Sequence, residues 1–378
     1  MIENLELKDL YLGFRQPKLI KFLANEIQKE AKALPKTINI MEVCGGHTHA
    51  IMKYGLNQLV GEKVNFIHGP GCPVCVMPKE RINQAMDLSL QKDVILLTLG
   101  DMIKVPGSKG SLQDMRAKGC DVRFVYSPFE CIKIAKQNPS KKIIYFAIGF
   151  ETTTPMTAAL VEAVIKQDIK NIFFHINHVS VPEPMEALLK AGAKIDGFLA
   201  PSHVSVIMGS KIYEIFPKNY KVPLVVGGFE PVDILEAILM LVKQSVEKKP
   251  KLEIQYSRSV SYEGNVKAQE LIFKYFDKKP KVKFRGLGFI KDAGFKLKDE
   301  YLHLDCEIIY KDVLDFDEIK DSKACICPKI LKGEAKPNEC KVFGNACTPA
   351  SPIGSCMVSS EGACNAYYKY GNFKVENE

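Results

Sequence analysis

Apolar residues run together without alternation in eight short stretches: INIMEV from Ile38, VNFIH from Val64, VILLTL from Val94, VRFVY from Val122, IIYFAI from Ile143, IFFHI from Ile172, GFLA from Gly197 and PLVV from Pro223. Between them the apolar positions take helical spacing, and Gly and Pro punctuate the joins. A strand that is apolar on both faces belongs in a parallel sheet covered by helices on either side. The pattern therefore predicts an α/β fold, preceded by an amphipathic helical lead-in over about residues 7 to 33.

The second half of the pattern echoes the first. VNFIH with a helix signal at Pro78 resembles NIFFH with one at Pro184, DMIKVPGS from Asp101 resembles HVSVIMGS from His203, and YSPFECI from Tyr126 resembles GGFEPVDIL from Gly227. The offsets of 107, 102 and 103 residues agree, which reads as a tandem duplication of an α/β unit. The expected organisation is a helical lead-in (1–36), two similar parallel-sheet α/β domains (37–140 and 141–246) and a C-terminal region (247–378). The Lys- and Pro-rich run from Glu247 to Lys251 marks the last boundary. Beyond Asp321, Cys, Gly, Pro and Ser crowd together with few apolar runs. Such a segment assembles little core of its own, and a bound metal would supply the missing stabilisation.

Composition narrows the function. The 378 residues are 46% hydrophobic and 25% charged, which excludes disorder and collagen-like classes. The net charge of +8 comes from Lys scattered along the chain rather than an Arg-dense stripe, so no nucleic-acid surface is expected. Met1 to Glu30 holds no secretory apolar core, and runs such as Ile143 to Phe150 are too short to span a membrane. The expectation is a cytoplasmic protein. There, twelve cysteines are read as metal ligands or redox groups before a disulfide framework.

Six of them, Cys325, Cys327, Cys340, Cys347, Cys356 and Cys364, lie within forty residues. Their uneven gaps suit an iron–sulfur cluster, which imposes no single spacing, better than the paired knuckles of zinc. Four ligands would leave two thiols for a redox pair beside the cluster; zinc with two spectators is the alternative. Near the N-terminus the first strand runs into Cys44-Gly-Gly-His47-Thr-His49, at the strand end where parallel sheets bind ligands. A helix start there would favour the Cys44 thiolate; the alternative is a buried turn cysteine with His47 and His49 as capping decoration. The second strand ends in His68-Gly-Pro-Gly-Cys72-Pro-Val-Cys75. A CxxC between strand and helix lowers a thiol pKa and permits reversible disulfide closure, with joint metal ligation alongside Cys44 as the rival. In the second repeat, Glu151, His175, His178, His203 and Glu230 stand at strand ends, where they would line one rim, although Thr152 to Thr154 also read as plain helix capping. Neither a P-loop nor GxGxxG after a strand is present, so no nucleotide site is supported. Cys120, Cys131 and Cys306 read as bystanders.

Taken together, MEVCGGHTHAI from Met41, HGPGCPVC from His68, GFETTTP from Gly149, PSHVSVIMG from Pro201, GGFEP from Gly227 and ACTPASPIGSCMVSSEGACNAYY ending at Tyr368 resemble the HypD family of hydrogenase maturation factors. The resemblance implies two similar α/β domains with a cluster-bearing region, and a scaffold that assembles the Fe(CN)2CO unit of [NiFe]-hydrogenases with a HypC-type chaperone and a HypE-type cyanide donor. It implies one [4Fe-4S] cluster on the pattern C-x14-C-x6-C-x16-C, which Cys325, Cys340, Cys347 and Cys364 fit. Cys327 and Cys356 would then be a cluster-proximal dithiol. Cys44 would anchor the low-spin iron, since thiolate suits a soft metal, and Cys72 and Cys75 would exchange disulfides. His47, His49, Glu151, His178, His203 and Glu230 would orient or protonate ligands. A zinc-stabilised thiol oxidoreductase is the alternative reading.

Overall fold

The computed structural model describes residues 12–371. The first residues of the expected lead-in and residues 372–378 of the C-terminal region lie outside them; within them the lead-in is the helix Pro17–Ala31.

Each of the eight apolar runs is a strand: β1 (Ile38–Glu42), β2 (Val64–His68), β3 (Val94–Leu99), β4 (Val122–Val125), β5 (Lys142–Gly149), β6 (Ile172–His178), β7 (Gly197–Pro201) and β8 (Leu224–Gly227). Three more follow, β9 (Leu252–Ile254) and the antiparallel hairpin of β10 (Phe276–Phe284) with β11 (Gly288–Leu297). The fold is α/β with two parallel sheets and a cysteine-rich C-terminal segment. One sheet has the order β2-β1-β7-β8-β9 and the other β4-β3-β5-β6. All pairings within both are parallel.

The two repeats do not map onto the two sheets. The first sheet takes β1 and β2 from the first repeat and β7 and β8 from the second; the other sheet takes β5 and β6 with β3 and β4. Under the repeat offset the sheets have the same order, so the repeats have exchanged their second strand pairs reciprocally. The expected boundary near residue 140 therefore falls inside a sheet rather than between two. Parallel strands pair through long crossovers, so a repeated pattern locates each strand without saying which sheet it joins. The boundary at 247 also shifts, because β9 extends the first sheet beside β8. Beyond it, the helix Val266–Tyr275 packs on the second sheet through Ile272 and Tyr275.

The cysteine-rich segment does not stand alone. Cys327, Ile330, Leu331, Cys347, Cys356, Met357, Ala363 and Cys364 are buried in the same core as Met41, Ile67 and Phe198 of the first sheet and Cys72 and Cys75 of its β2 loop. Short of apolar residues, the tail borrows a core from the carboxyl ends of β1 and β2. Among the described residues no helix is long and apolar enough to cross a membrane.

Candidate functional site

Since β2, β1, β7 and β8 lie side by side and parallel, the loops leaving their carboxyl ends meet along one edge. β1 delivers Cys44, extended at φ −151° and ψ 130°, as the residue before the helix Gly45–Lys53. β2 delivers Gly69 to Cys75. The two loops are locked backbone to backbone: Gly45 N donates to Gly71 O at 3.1 Å, and a Cβ on Gly71 would lie 2.3 Å from both Cys44 N and Val43 C. A side chain at 71 would force the loops apart.

At Cys44 the balance of burial and dipole differs from expectation. Burial, with the charges of Glu361 and Glu42, pushes the thiol well above its ordinary range and outweighs the hydrogen bonds from the Gly46 and His47 backbone. The Cys44 thiol is therefore held protonated. His47 is fully buried, with Nε2 3.2 Å from Gly227 O and 3.0 Å from Gly228 O. Both partners are carbonyls, so Nε2 carries the hydrogen; burial lowers the pKa to about 4 and keeps the ring neutral. Phe229 holds His47 on one side, ring centroids 4.6 Å apart, and His203 at 4.5 Å. His49 instead reaches Ser360 O at 3.3 Å and the edge of Tyr370.

Beneath this loop lies a chain that sequence reasoning missed. The buried Glu42 carboxylate accepts from Thr48 Oγ1 at 2.6 Å and from His68 Nδ1, and His68 Nε2 is 3.1 Å from the Tyr367 hydroxyl. It joins β1, β2 and the helix Ala363–Tyr370, which carries Cys364. A glutamate inside a strand of apolar residues was the available signal.

The sulfurs form a second chain. Cys72 precedes the short helix Pro73–Val76 and accepts from Cys75 N at 3.4 Å. The Cys75 thiol hydrogen-bonds to Cys356 and Cys72, and these contacts with burial push it well above its ordinary range. That is the opposite of the lowering expected for CxxC. Cys356 hydrogen-bonds to Cys327 and Cys75, which draw it below the ordinary thiol range. Cys327 in turn contacts Cys325 and Cys364. Cys347 Sγ accepts from Ile353 N at 3.3 Å and lies within electrostatic reach of Cys325 and Cys327. Cys340 Sγ is 3.9 Å from Ala324 O, beside Cys325. Gly354 is pressed against this group: a Cβ there would sit 2.6 Å from Cys325 Sγ and 2.7 Å from Cys327 Sγ.

Among the described residues no three His, Cys, Asp or Glu side chains converge as they would on a single metal ion. Beside the thiols stands Arg285, 3% exposed, whose Nε, Nη1 and Nη2 have no hydrogen-bond acceptor among the described residues. Several neighbouring thiols beside a buried cation whose one paired carboxylate, Asp321, is part-exposed are chemically compatible with an anionic polynuclear group.

The rim residues of the second repeat divide. Glu151 is buried; its Oε1 accepts from Val181 N at 3.1 Å, its Oε2 has no partner, and burial raises the pKa to about 7. Its charge adds to the burial that raises the pKa of Tyr213. His203 joins His47 through Phe229. His178 does not join them: it is buried with Nε2 2.8 Å from Thr157 Oγ1. His175 stacks on Phe146. Glu230, expected to line the rim, is held by the Arg15 guanidinium at 2.5 and 2.7 Å. Cys131 and Cys306 are buried in the second sheet's core, and Cys120 is half-buried.

A family model for HypD, described as the hydrogenase formation hypA family, matches residues 18–371. The chain belongs to the HypD family. It is 45% identical over 365 residues to the hydrogenase maturation factor HypD of Azotobacter vinelandii, covering 95% of this chain and 96% of that one. To the hydrogenase maturation factor HypD of Escherichia coli K12 it is 41% identical over 362 residues, covering 94% and 96%. To that of Rhodobacter capsulatus it is 40% identical over 369 residues, covering 96% and 98%. Hydrogenase maturation is the role of this HypD chain.

Two consequences can be measured. Gly71→Ala should destabilise this HypD by at least about 2 kcal/mol in chemical denaturation, because backbone rather than a side chain must move; Gly13→Ala, where a Cβ meets nothing within 4 Å, should be close to neutral. Glu151 binds a proton more tightly folded than unfolded, so wild-type stability should fall as pH rises from about 4.5 to about 7 and then level. Glu151→Gln should abolish that component, gaining roughly 3 kcal/mol over wild type at pH 8 relative to pH 4 in urea titrations.

Proposed function

We propose that this chain is the scaffold and thiol-redox protein on which the Fe(CN)2CO unit of [NiFe]-hydrogenases is assembled, together with a HypC-type chaperone and a HypE-type cyanide donor, in the cytoplasm. The observation that carries the redox part is the line of contacts from Cys72 through Cys75 and Cys356 to Cys327.

Thiol exchange can run along that line. With Cys72 and Cys75 oxidised to a disulfide, the Cys356 thiolate attacks the Cys75 sulfur and releases Cys72 as a thiol. Cys327 then attacks Cys356, which closes a Cys327–Cys356 disulfide and frees Cys75. One disulfide opens and one forms at every stage, so no outside oxidant is needed. Cys356 suits the attack because the Cys327 thiol, which keeps its hydrogen in that state, favours its thiolate. A [4Fe-4S] cluster held by Cys325, Cys340, Cys347 and Cys364 would supply or accept electrons one at a time.

Cys44 is the anchor we assign to the iron being assembled. Low-spin iron carrying cyanide and CO is a soft acid, and thiolate is a matched ligand. A thiol held protonated is inert to chance oxidation but open to a metal that expels its proton. His47, neutral and fixed by two carbonyls, and Glu151, poised near neutrality, are the groups placed to orient or protonate cargo ligands.

Cys340→Ala should abolish the broad visible absorbance of thiolate-bound iron and loosen the C-terminal segment in limited proteolysis, while Cys120→Ala does neither; an unaltered spectrum in Cys340→Ala would refute the cluster assignment. Cys44→Ser, isolated anaerobically with the co-expressed chaperone, should keep the cluster spectrum and lose the cyanide and CO infrared bands. Bands at wild-type intensity would place the anchor elsewhere.

A further inference from the structure

Arg285 lies in the stretch of chain that carries no motif, yet it reaches the centre of the sulfur chain. It opens the turn of the β10–β11 hairpin, where Leu287 N donates to Phe284 O at 3.1 Å. Its own backbone N donates to Val76 O at 2.8 Å, the last residue of the CxxC helix. The next residue, Gly286 at φ +81°, is pressed on the tail: a Cβ there would stand 2.7 Å from Pro328 Cα, adjacent to Cys327. The hairpin tip is thus wedged between the CxxC loop and the cysteine-rich segment.

A guanidinium stays charged wherever it is put, and burying it is costly unless an anion compensates. Here the side chain is 2% exposed, and the carboxylate paired with it is Asp321, 22% exposed, with Nη2 to Oδ1 at 2.7 Å. That pair is off the line of a hydrogen bond, and Nε, Nη1 and Nη2 lack acceptors among the described residues. Phe284, which precedes it, shares one core with Cys75, Cys327 and Cys356. The charge of Arg285 is felt at Cys325, Cys327 and Cys356. The guanidinium thus lies beside the sulfurs with its charge offset by one part-exposed carboxylate.

We infer that Arg285 is the fixed counter-charge of the sulfur chain, a positioning residue whose buried guanidinium, paired with the part-exposed Asp321, favours the reduced, more negative state of the thiols and of the cluster they hold. The inference rests on the proposed redox role. Each electron taken up adds negative charge close to Arg285, in surroundings where water screens little. Net charge and hydrogen bonds to sulfur are the levers by which a protein sets a cluster potential. They act on a dithiol too, since stabilising the reduced form makes its disulfide easier to reduce. The electrons come from a low-potential one-electron donor in solution in the cluster couple, and from glutathione in the dithiol couple.

The test uses the full chain purified anaerobically, with Arg285→Met, Arg285→Lys and Asp321→Asn beside wild type, and reads the cluster midpoint potential by dithionite titration followed optically and by electron paramagnetic resonance. Arg285→Met should move the potential negative with iron and sulfide content retained, Arg285→Lys should hold it near wild type, and Asp321→Asn, which leaves the cation wholly to the sulfurs, should move it positive. A wild-type potential in both Arg285→Met and Asp321→Asn would overturn the inference, leaving Arg285 a structural wedge. Should Arg285→Met fail to fold, the direction of the Asp321→Asn shift decides alone. Should wild type carry no cluster, the cluster assignment falls and the Cys327–Cys356 couple decides. At equilibrium with glutathione the reduction constant of Cys327–Cys356 should then be about tenfold smaller in Arg285→Met than in wild type, and equal constants would overturn the inference.

Discussion

Cys75 and Cys356 come from opposite ends of the chain and meet in a core that neither end could build by itself. The contact requires the β2 loop and the cysteine-rich tail to be packed as one body. The Glu42–His68–Tyr367 chain ties the strand ends to the terminal helix, Ser355 Oγ donates to Cys75 O at 2.9 Å, and the hairpin tip braces the other side through Arg285 N and Val76 O. A tail poor in apolar residues becomes ordered because it packs into the core at the carboxyl ends of β1 and β2, and the sulfurs it brings become a continuation of the CxxC loop.

Burial decides what each group is ready to do. Cys44 is pushed up by desolvation, and Cys75 and Cys364 by hydrogen bonds to neighbouring thiols together with desolvation, against the usual assumption that a cysteine at a helix start is an exposed nucleophile. Cys356 is the exception, because two neighbouring thiols donate to it. In the proposed relay this makes Cys356, in the middle of the chain of sulfurs, the attacking group. At the Cys44 loop, His47 is kept neutral by burial, and the acidic groups acting on Cys44 are Glu361 and Glu42.

The strands and the cysteines were legible in the sequence, because continuous apolar runs and CxxC motifs are local patterns. INIMEV and VNFIH mark β1 and β2 without any knowledge of what pairs with them. The exchange of β3 and β4 with β7 and β8 between repeats was not legible, since parallel partners are reached by long crossovers and equivalent strands look alike from either repeat. The rim drawn from Glu151, His178, His203 and Glu230 came apart for the same reason: Glu230 and His203 follow strands of the first sheet, and Glu151 and His178 follow strands of the second. Glu42, Tyr367 and Arg285 were missed because a single buried polar residue leaves no periodic trace. Their importance lies in partners on other elements of the fold.

The claim that electrons reach the CxxC pair through Cys356 is tested most directly by following one bond. Protein oxidised at Cys72–Cys75 is treated anaerobically with a low-potential one-electron donor, and the appearance of alkylatable Cys72 and Cys75 is followed by mass mapping in wild type and in Cys356→Ala. In wild type both thiols should appear as the donor is consumed, while in Cys356→Ala the Cys72–Cys75 disulfide should persist even though the tail still takes up electrons. Opening of Cys72–Cys75 in Cys356→Ala at the wild-type rate would contradict the account.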